Sequence, residues 1–342
     1  MKIYSAASWM VIAFLMLFLL VYGEPIIVPF VIAILIWFVV KKMRNFLDKS
    51  FVIKKYIPSW LKTGLASFVI FGGIFFIGQM LTANIQSLAD SYTEYISNIE
   101  QIAVKINEVF NIDLTKELNN FVANFNFSSY LQSLFNSLSE ILGNMVMIIF
   151  YVVFLFVEES LFQTKFKLIF ESNNRYDKVS GILKKIDKSM SSYISLKSLV
   201  SLLTTTLSYF IMLAVGIDSP LFWAFLIFIF NFIPSIGPIL GTVLPAMFCL
   251  IQFGTFAPAL IVLFGVGGVS VLVGSLVEPK LMGNTLNISP LVAIFSLALW
   301  GSIWGIIGML LSVPITVAMI IVFSQFPSTR SIAILLSEKG KV

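Results

Sequence analysis

Asn231-Phe232-Ile233-Pro234-Ser235-Ile236-Gly237-Pro238 divides the two apolar arms of a segment running from 219 to 253, and the reading of this stretch decides the fold. Each proline lacks an N–H and crowds the carbonyl four residues before it, so the pair interrupts any regular helix. The segment is also too long for one ordinary span, because about 35 helical residues reach roughly 52 Å while a bilayer core is about 30 Å thick. A second segment, 291 to 323, repeats the pattern, with Gly301, Gly305 and Gly308 leading to Pro314. Interrupted backbone at membrane depth is tolerated only where protein buries it or where it lines a cavity. Two such breaks predict discontinuous helices around a midplane binding site, which is the plan of a transporter.

Composition agrees. Of 342 residues 58% are hydrophobic and 11% charged, more apolar surface than a soluble domain of this size buries. The expected fold class is all-α: a polytopic helical membrane protein with six to eight spans, two broken or re-entrant helical segments and an amphipathic outer helical segment. The single cysteine, Cys249, excludes an intrachain disulfide, and the absence of histidine excludes imidazole metal ligands and imidazole proton relays. The net charge of +5 is no nucleic-acid signal, because the lysines lie in loops between apolar runs, where topology explains them.

Apolar runs occupy about 6 to 22, 25 to 40, 61 to 81, 141 to 157, 198 to 216 and 256 to 277, in addition to the two interrupted segments. Gly23-Glu24-Pro25 turns the first run directly into the second, so it reads as a retained span rather than a cleaved leader. Lys41, Lys42, Arg44, Lys49, Lys54, Lys55 and Lys62 follow the second run, and a second basic stretch runs from Lys165 to Lys197. Both are expected on the cytoplasmic side, as is the tail with Arg330, Lys339 and Lys341. The acidic stretch 82 to 140 is then outside. There Ile85, Leu88, Tyr92, Tyr95, Ile96, Ile99 and Ile102 recur at helical spacing, with expected breaks at Asn111-Ile112-Asp113 and Phe127-Ser128-Ser129. This outer segment either caps the span ends or, through aromatics such as Phe121, Phe125 and Tyr130, joins subunits. Residues 158 to 197 read as short amphipathic helices on the inner surface.

The expected organisation is therefore spans one to three in 1–82, outer helices in 83–140, a fourth span with a cytoplasmic linker in 141–195, a transport unit in 196–325 and a tail in 326–342. Each interrupted segment either crosses once or folds back as a re-entrant hairpin. If both fold back, a span followed by a hairpin occurs twice with opposite polarity, and the loop from Glu278 to Ser289 lies inside.

Chemistry is expected beside the breaks. Pro234 and Pro238 free earlier carbonyls, Gly237 allows close backbone approach, and Asn231 and Ser235 add donors and acceptors. The same Gly237-to-Gly241 spacing also suits a helix-packing contact, so a solute site and a packing kink are both open readings. Gly301-Ser302-Ile303-Trp304-Gly305 favours packing. Glu278, followed by Pro279 and Lys280, is either an interfacial carboxylate or a proton or cation site with Lys280, Asn284, Thr285, Asn287 and Ser289 shaping a gate. Ser201, Thr205 and Ser208 share one helix face and either bond back to their own backbone or line a pathway. No cofactor and no metal are expected. Gly265-Val266-Gly267-Gly268 lies in an apolar span without the context of a nucleotide fingerprint, and no histidine-based catalytic pair exists, so the chain is not expected to be an enzyme.

The stretch Asn231 to Pro238, continuing to Pro245-Ala246, resembles the hallmark of the autoinducer-2 exporter family, the PerM-like permeases. Val277-Glu278-Pro279-Lys280-Leu281-Met282-Gly283 with Asn287-Ile288-Ser289-Pro290 resembles its second signature, and the order of spans and linkers agrees along nearly the whole chain. Ser235 stands where that pattern often has tyrosine. The resemblance implies an inner-membrane transporter assembled as a homo-oligomer, with a pentamer as the expected form. Its members are associated with export of autoinducer-2 and with sodium- or lithium-for-proton exchange. The reading is a secondary transporter in the lipid bilayer that exports a small polar metabolite or signal by alternating access. Cation/proton antiport through Glu278, with a proton or sodium as partner, is the alternative, and a non-transporting membrane scaffold is a third.

Overall fold

A computed structural model of the chain describes residues 2–48, 55–91, 95, 97–98, 102, 143–170, 176–282 and 287–340. Among the described residues every regular element is a helix. Helix α1 (Lys2–Tyr22) meets α2 (Glu24–Leu47) at Gly23, where the Gly23 N–H bonds to Leu19 O and Pro25 stands at the helix start. Then come α3 (Ser59–Asp90), α4 (Met145–Phe170), α5 (Tyr176–Val215), α6 (Pro220–Phe230), α7 (Ile236–Phe253) and α8 (Phe256–Leu272). A π turn, Val273–Val277, carries α8 into α9 (Glu278–Met282), and α10 (Pro290–Ser324) and α11 (Arg330–Leu336) complete the order. Six stretches among the described residues are long and apolar enough to cross a bilayer: Glu24–Leu47, Ser59–Leu88, Val179–Val215, Ile236–Phe253, Phe256–Met282 and Pro290–Ser324. The chain is an all-α polytopic membrane protein.

Two helices differ from expectation. Residues 158 to 197 do not break into short surface helices: α4 continues to Phe170, and α5 is one helix of 40 residues. Neither Glu158–Phe170 nor Ile182–Val215 contains glycine or proline, so nothing in either stretch stops the helix.

By internal contacts the chain forms two compact units, one made of Met1–Phe68, Asn144–Ser195 and Asn284–Val342, the other of Val69–Gly143 and Leu196–Gly283. The expected block 196–325 is divided between them. In the first unit α2 packs on α4 and α10 packs on α11. Ion pairs hold the polar end of α2: Arg44 to Glu159 and Lys41 to Asp187 at 3.1 Å each, and buried Lys62 to Asp48. In the second unit α6, α7 and α8 pack in sequence around Phe222, Ile227, Cys249 and Val262, with Met212 of α5 and Leu81, Ile85, Leu88 and Tyr95 in the same core. The apolar stripe expected past residue 82 therefore begins as a continuation of α3. Phe121, Phe125, Tyr130 and the expected breaks near 112 and 128 lie outside the described residues.

Both interrupted segments fold back. Between α6 and α7 the chain reverses so tightly that a Cβ on Gly237 would stand 1.8 Å from the Phe230 carbonyl oxygen, and one on Gly241 would stand 3.3 Å from Ile227. In α10 the backbone leaves helical geometry at Trp304 (φ −127, ψ 22) and Gly305 (φ 57, ψ −139). A Cβ on Gly308 would stand 1.9 Å from the Trp300 carbonyl oxygen, a pair that about eight residues of straight helix would hold roughly 12 Å apart. The arms are thus 290–303 and 306–324. The second break falls at the glycines, while Pro314 lies buried within the second arm. Its missing N–H interrupts only one helical bond, which the surrounding helix tolerates.

Candidate functional site

The second unit positions the residues singled out beside the first break. A capped turn at Gly216 and Ile217, whose N–H groups both bond to Met212 O, ends α5 and leads into α6. The α6–α7 reversal is followed by a tight turn at Gly254 into α8, where a Cβ on Gly267 would meet Thr242 of α7 at 3.1 Å. Two contacts then set the register of α5 against α8. Ile211 stands 3.0 Å from a Cβ built on Gly265, and the Lys197 ammonium donates to the Glu278 carboxylate. Nearly equal lengths of the two antiparallel helices separate these contacts. Ser208 is therefore level with about Gly268, and Ser201 with about Gly274 in the π turn. The chain of contacts through α7 and α8 puts Asn231 level with about Thr204.

At that level the polar groups are buried and unmatched. Ser201 Oγ, Thr205 Oγ1, Ser208 Oγ and Asn231 Nδ2 have no hydrogen-bond partner among the described residues. Neighbouring hydroxyls on the same helix behave differently: Thr204 donates to Val200 O at 3.1 Å and Thr206 to Leu202 O at 2.7 Å. Back-bonding is thus available on α5, and three hydroxyls on one face do not use it. An unmatched buried polar group costs about 1–3 kcal/mol, so the row is maintained against stability. The other buried side-chain polar atoms without a partner among the described residues are the indole N–H groups of Trp37 and Trp223.

The surrounding backbone is irregular in the same place. Ser235, at the tip of the reversal, adopts φ 61 and ψ −47, a conformation unfavourable for a residue with a Cβ and worth about 1–3 kcal/mol of strain. The π turn widens the helix immediately before Glu278. Glu278 is paired with Lys197, their side chains 27% and 11% exposed, so the carboxylate proposed as a titrating site is engaged by a cation in this conformation. At the opposite end of the unit Tyr95, Asn98, Asp218 and Gln252 form a connected hydrogen-bond network, although the Trp223 indole N–H packed on Phe248 there is unpartnered. Tyr95 OH donates to Asp218 Oδ2 at 2.7 Å and Asn98 Nδ2 to Gln252 O at 2.6 Å. Gln252 in turn accepts from the Asp218 N–H at 2.7 Å and donates to Gly216 O at 3.0 Å.

The structure therefore brings Ser201, Thr205, Asn231 and Glu278 to one end of the second unit, with Pro234, Ser235, Gly237 and Pro238 forming the adjoining break. Thr242 Oγ1 donates to Pro238 O at 2.8 Å, so that carbonyl is not free for a ligand. Lys280 is exposed. Asn287, with φ 41, belongs to the first unit, and Asn284 and Thr285 lie outside the described residues. Lys197 and the π turn are additions. Lys197 reads as one more topological cation, and Val273-Gly274-Ser275-Leu276-Val277 carries no sequence mark of a π turn. Ser208 shares its signal, the hydroxyl spacing, with Ser201 and Thr205.

Comparison with known proteins names the kind of membrane protein. The model of the AI-2E family transporter matches residues 9–328. The chain belongs to the AI-2E transporter family. It is similar to the AI-2 transport protein TqsA of Escherichia coli, 27% identical over 324 residues covering 94% of this chain and 92% of TqsA. A Haemophilus influenzae protein is 26% identical over 323 residues, 92% and 91% of the two chains, and Escherichia coli YhhT is 30% identical over 256 residues, 69% and 70%. The protein is a membrane transporter.

Proposed function

We propose that the protein is a secondary transporter of the bacterial cytoplasmic membrane that exports a small polar solute by alternating access, with the binding site in the second unit. One observation carries this reading: Ser201, Thr205, Ser208 and Asn231 hold unmatched hydrogen-bonding groups at the level of a reversed, strained backbone. In a protein interior such groups are matched unless something else uses them. A solute that offers donors and acceptors would complete them, then leave them unmatched again when the unit opens to the other side, which keeps binding weak enough for release. Glu278 and Lys197 cancel each other, so the site favours a solute of little net charge. The AI-2 furanone is the first solute to test, because the similar TqsA is an AI-2 transport protein.

The test is counterflow in liposomes with the purified full-length chain. Labelled AI-2 and a panel of neutral polar metabolites are offered, and uptake by the unaltered protein is compared with that by Asn231→Leu. The expected result is saturable counterflow for at least one solute, reduced tenfold or more in Asn231→Leu with the melting temperature unchanged or raised. Flux that Asn231→Leu leaves intact would move the site elsewhere. The absence of solute flux in any arm would favour a non-transporting scaffold.

A further inference from the structure

The first unit contains a cleft that the transport reading does not use. It has a volume of about 340 Å³ and lies between the last turns of α2 and the first half of α5, lined by Lys42, Asn45, Phe46, Asp187, Lys188, Ser191 and Ser192. Its charge is unbalanced. The Asp187 carboxylate accepts from Lys41 at 3.1 Å, and Lys41 is itself drawn over the Trp37 ring, 4.7 Å from its centroid. Lys42 and Lys188 have no carboxylate partner among the described residues. Asn45 and the Ser191 and Ser192 hydroxyls add uncharged donors along the same wall. Two cations with several neutral donors recognise a phosphate group.

The position of the cleft favours a lipid as the bearer of that phosphate. The apolar run of α2 ends at Val40, and Lys41 and Lys42 follow at once, so the cleft opens where a span passes from hydrocarbon to headgroups. Phe46, 69% exposed, offers an apolar surface beside the cations, as a glycerol backbone and its acyl chains require. A free phosphate would have no use for that face. We propose that this cleft binds the phosphate of an anionic phospholipid headgroup, with Lys42 and Lys188 supplying the charge and Asn45, Ser191 and Ser192 the neutral hydrogen bonds.

Delipidated full-length protein in neutral detergent is titrated with phosphatidylglycerol or phosphatidylcholine, and bound lipid is counted by native mass spectrometry. Phosphatidylglycerol is expected to be retained in preference to phosphatidylcholine. Lys42→Gln/Lys188→Gln is expected to weaken retention roughly thirtyfold, at about fivefold per cation. Lys184→Gln/Lys185→Gln makes the same charge change on exposed residues of the same helix that do not line the cleft, and is expected to leave retention unchanged. Should the first double variant fold poorly by its melting curve, exposed Lys188→Gln alone is read, with a loss of about fivefold. Equal losses in both double variants would reduce the effect to diffuse attraction and overturn the site, as would equal retention of the two lipids. A third arm offers millimolar inorganic phosphate. No displacement of phosphatidylglycerol supports the lipid, whereas phosphate binding with the same dependence on Lys42 and Lys188 would overturn the lipid as its source.

Discussion

The two reversed segments are built alike and finished differently. Each turns on a glycine pressed against a carbonyl in the last turn of its first arm, Gly237 on Phe230 and Gly308 on Trp300. The tip of the α10 reversal is closed. Trp304 packs on Trp300 with ring centroids 5.2 Å apart and the rings tilted by 38°, and donates its indole N–H to Leu20 O at 2.9 Å, within a cluster that includes Val28 and Leu311. Two buried hydroxyls of the second α10 arm are spent on their own backbone, Ser312 on Met309 O and Thr316 on Ser312 O, at 2.7 Å each. The α6–α7 reversal has strained Ser235 at its tip, with Asn231 unmatched beside it. The same backbone device thus serves as a packed anchor in one unit and as a half-satisfied polar surface in the other. The break makes a site possible, and what the break is lined with decides whether there is one.

The largest test of this likeness is Gly237→Ala and Gly308→Ala. In both, the new Cβ meets a backbone oxygen that cannot move without opening the reversal. Each is expected to lose about 3 kcal/mol or more, read as a collapsed melting transition in detergent. If either is tolerated, the two turns are not equivalent.

Next in size is the Lys197–Glu278 ion pair of the second unit. Lys197→Gln or Glu278→Gln alone leaves a half-buried charge without its partner and is expected to cost about 2 kcal/mol, while the charge-swapped pair Lys197→Glu/Glu278→Lys recovers most of it. Melting curves of the four proteins form the cycle. An additive cycle would show that the pair contributes nothing.

The comparison is sharpest at the tips, where effects near 1 kcal/mol take opposite signs. Asn231→Leu removes an unmatched amide and is expected to hold or raise stability while reducing flux tenfold or more. Trp304→Phe removes a matched indole N–H and is expected to lower stability by about 1 kcal/mol while flux persists. Measuring melting temperature and counterflow on both proteins decides it, and the same sign for the two would erase the distinction. The smallest effects fall on the hydroxyls. Ser312→Ala should be nearly silent in both assays, whereas Ser201→Ala and Ser208→Ala together should reduce flux severalfold at unchanged or raised stability.

The spans and both interruptions are legible in the sequence because bilayer thickness converts directly into a residue count, and because glycine and proline punctuate helices by mechanism. The common face of Ser201, Thr205 and Ser208 is legible for the same reason, since helical periodicity alone sets it. Partnership is not. Lys197 reads as one lysine among many in a basic linker until α5 and α8 are laid side by side. The place of the second turn escapes the residue types as well: Pro314 is the stronger breaker by propensity, yet the chain turns at Trp304-Gly305, where two indoles can pack the inside of the bend. The full lengths of α4 and α5 are hidden because charged residues end a hydropathy run without ending a helix.

Helix α5, at 40 residues, would extend about 60 Å, twice the thickness of a hydrocarbon slab. A large part of it must then stand among headgroups or in water, and Lys197 marks where that part gives way to the apolar stretch. Ser201 follows one turn later, Thr205 a second and Ser208 nearly a third. A passenger moving along them would exchange water for protein oxygens one step at a time, from a strongly polarisable surrounding into a weakly polarisable one. No single step would have to strip its whole hydration shell, and the energetic summit of the crossing would lie beyond Ser208 rather than at the entrance.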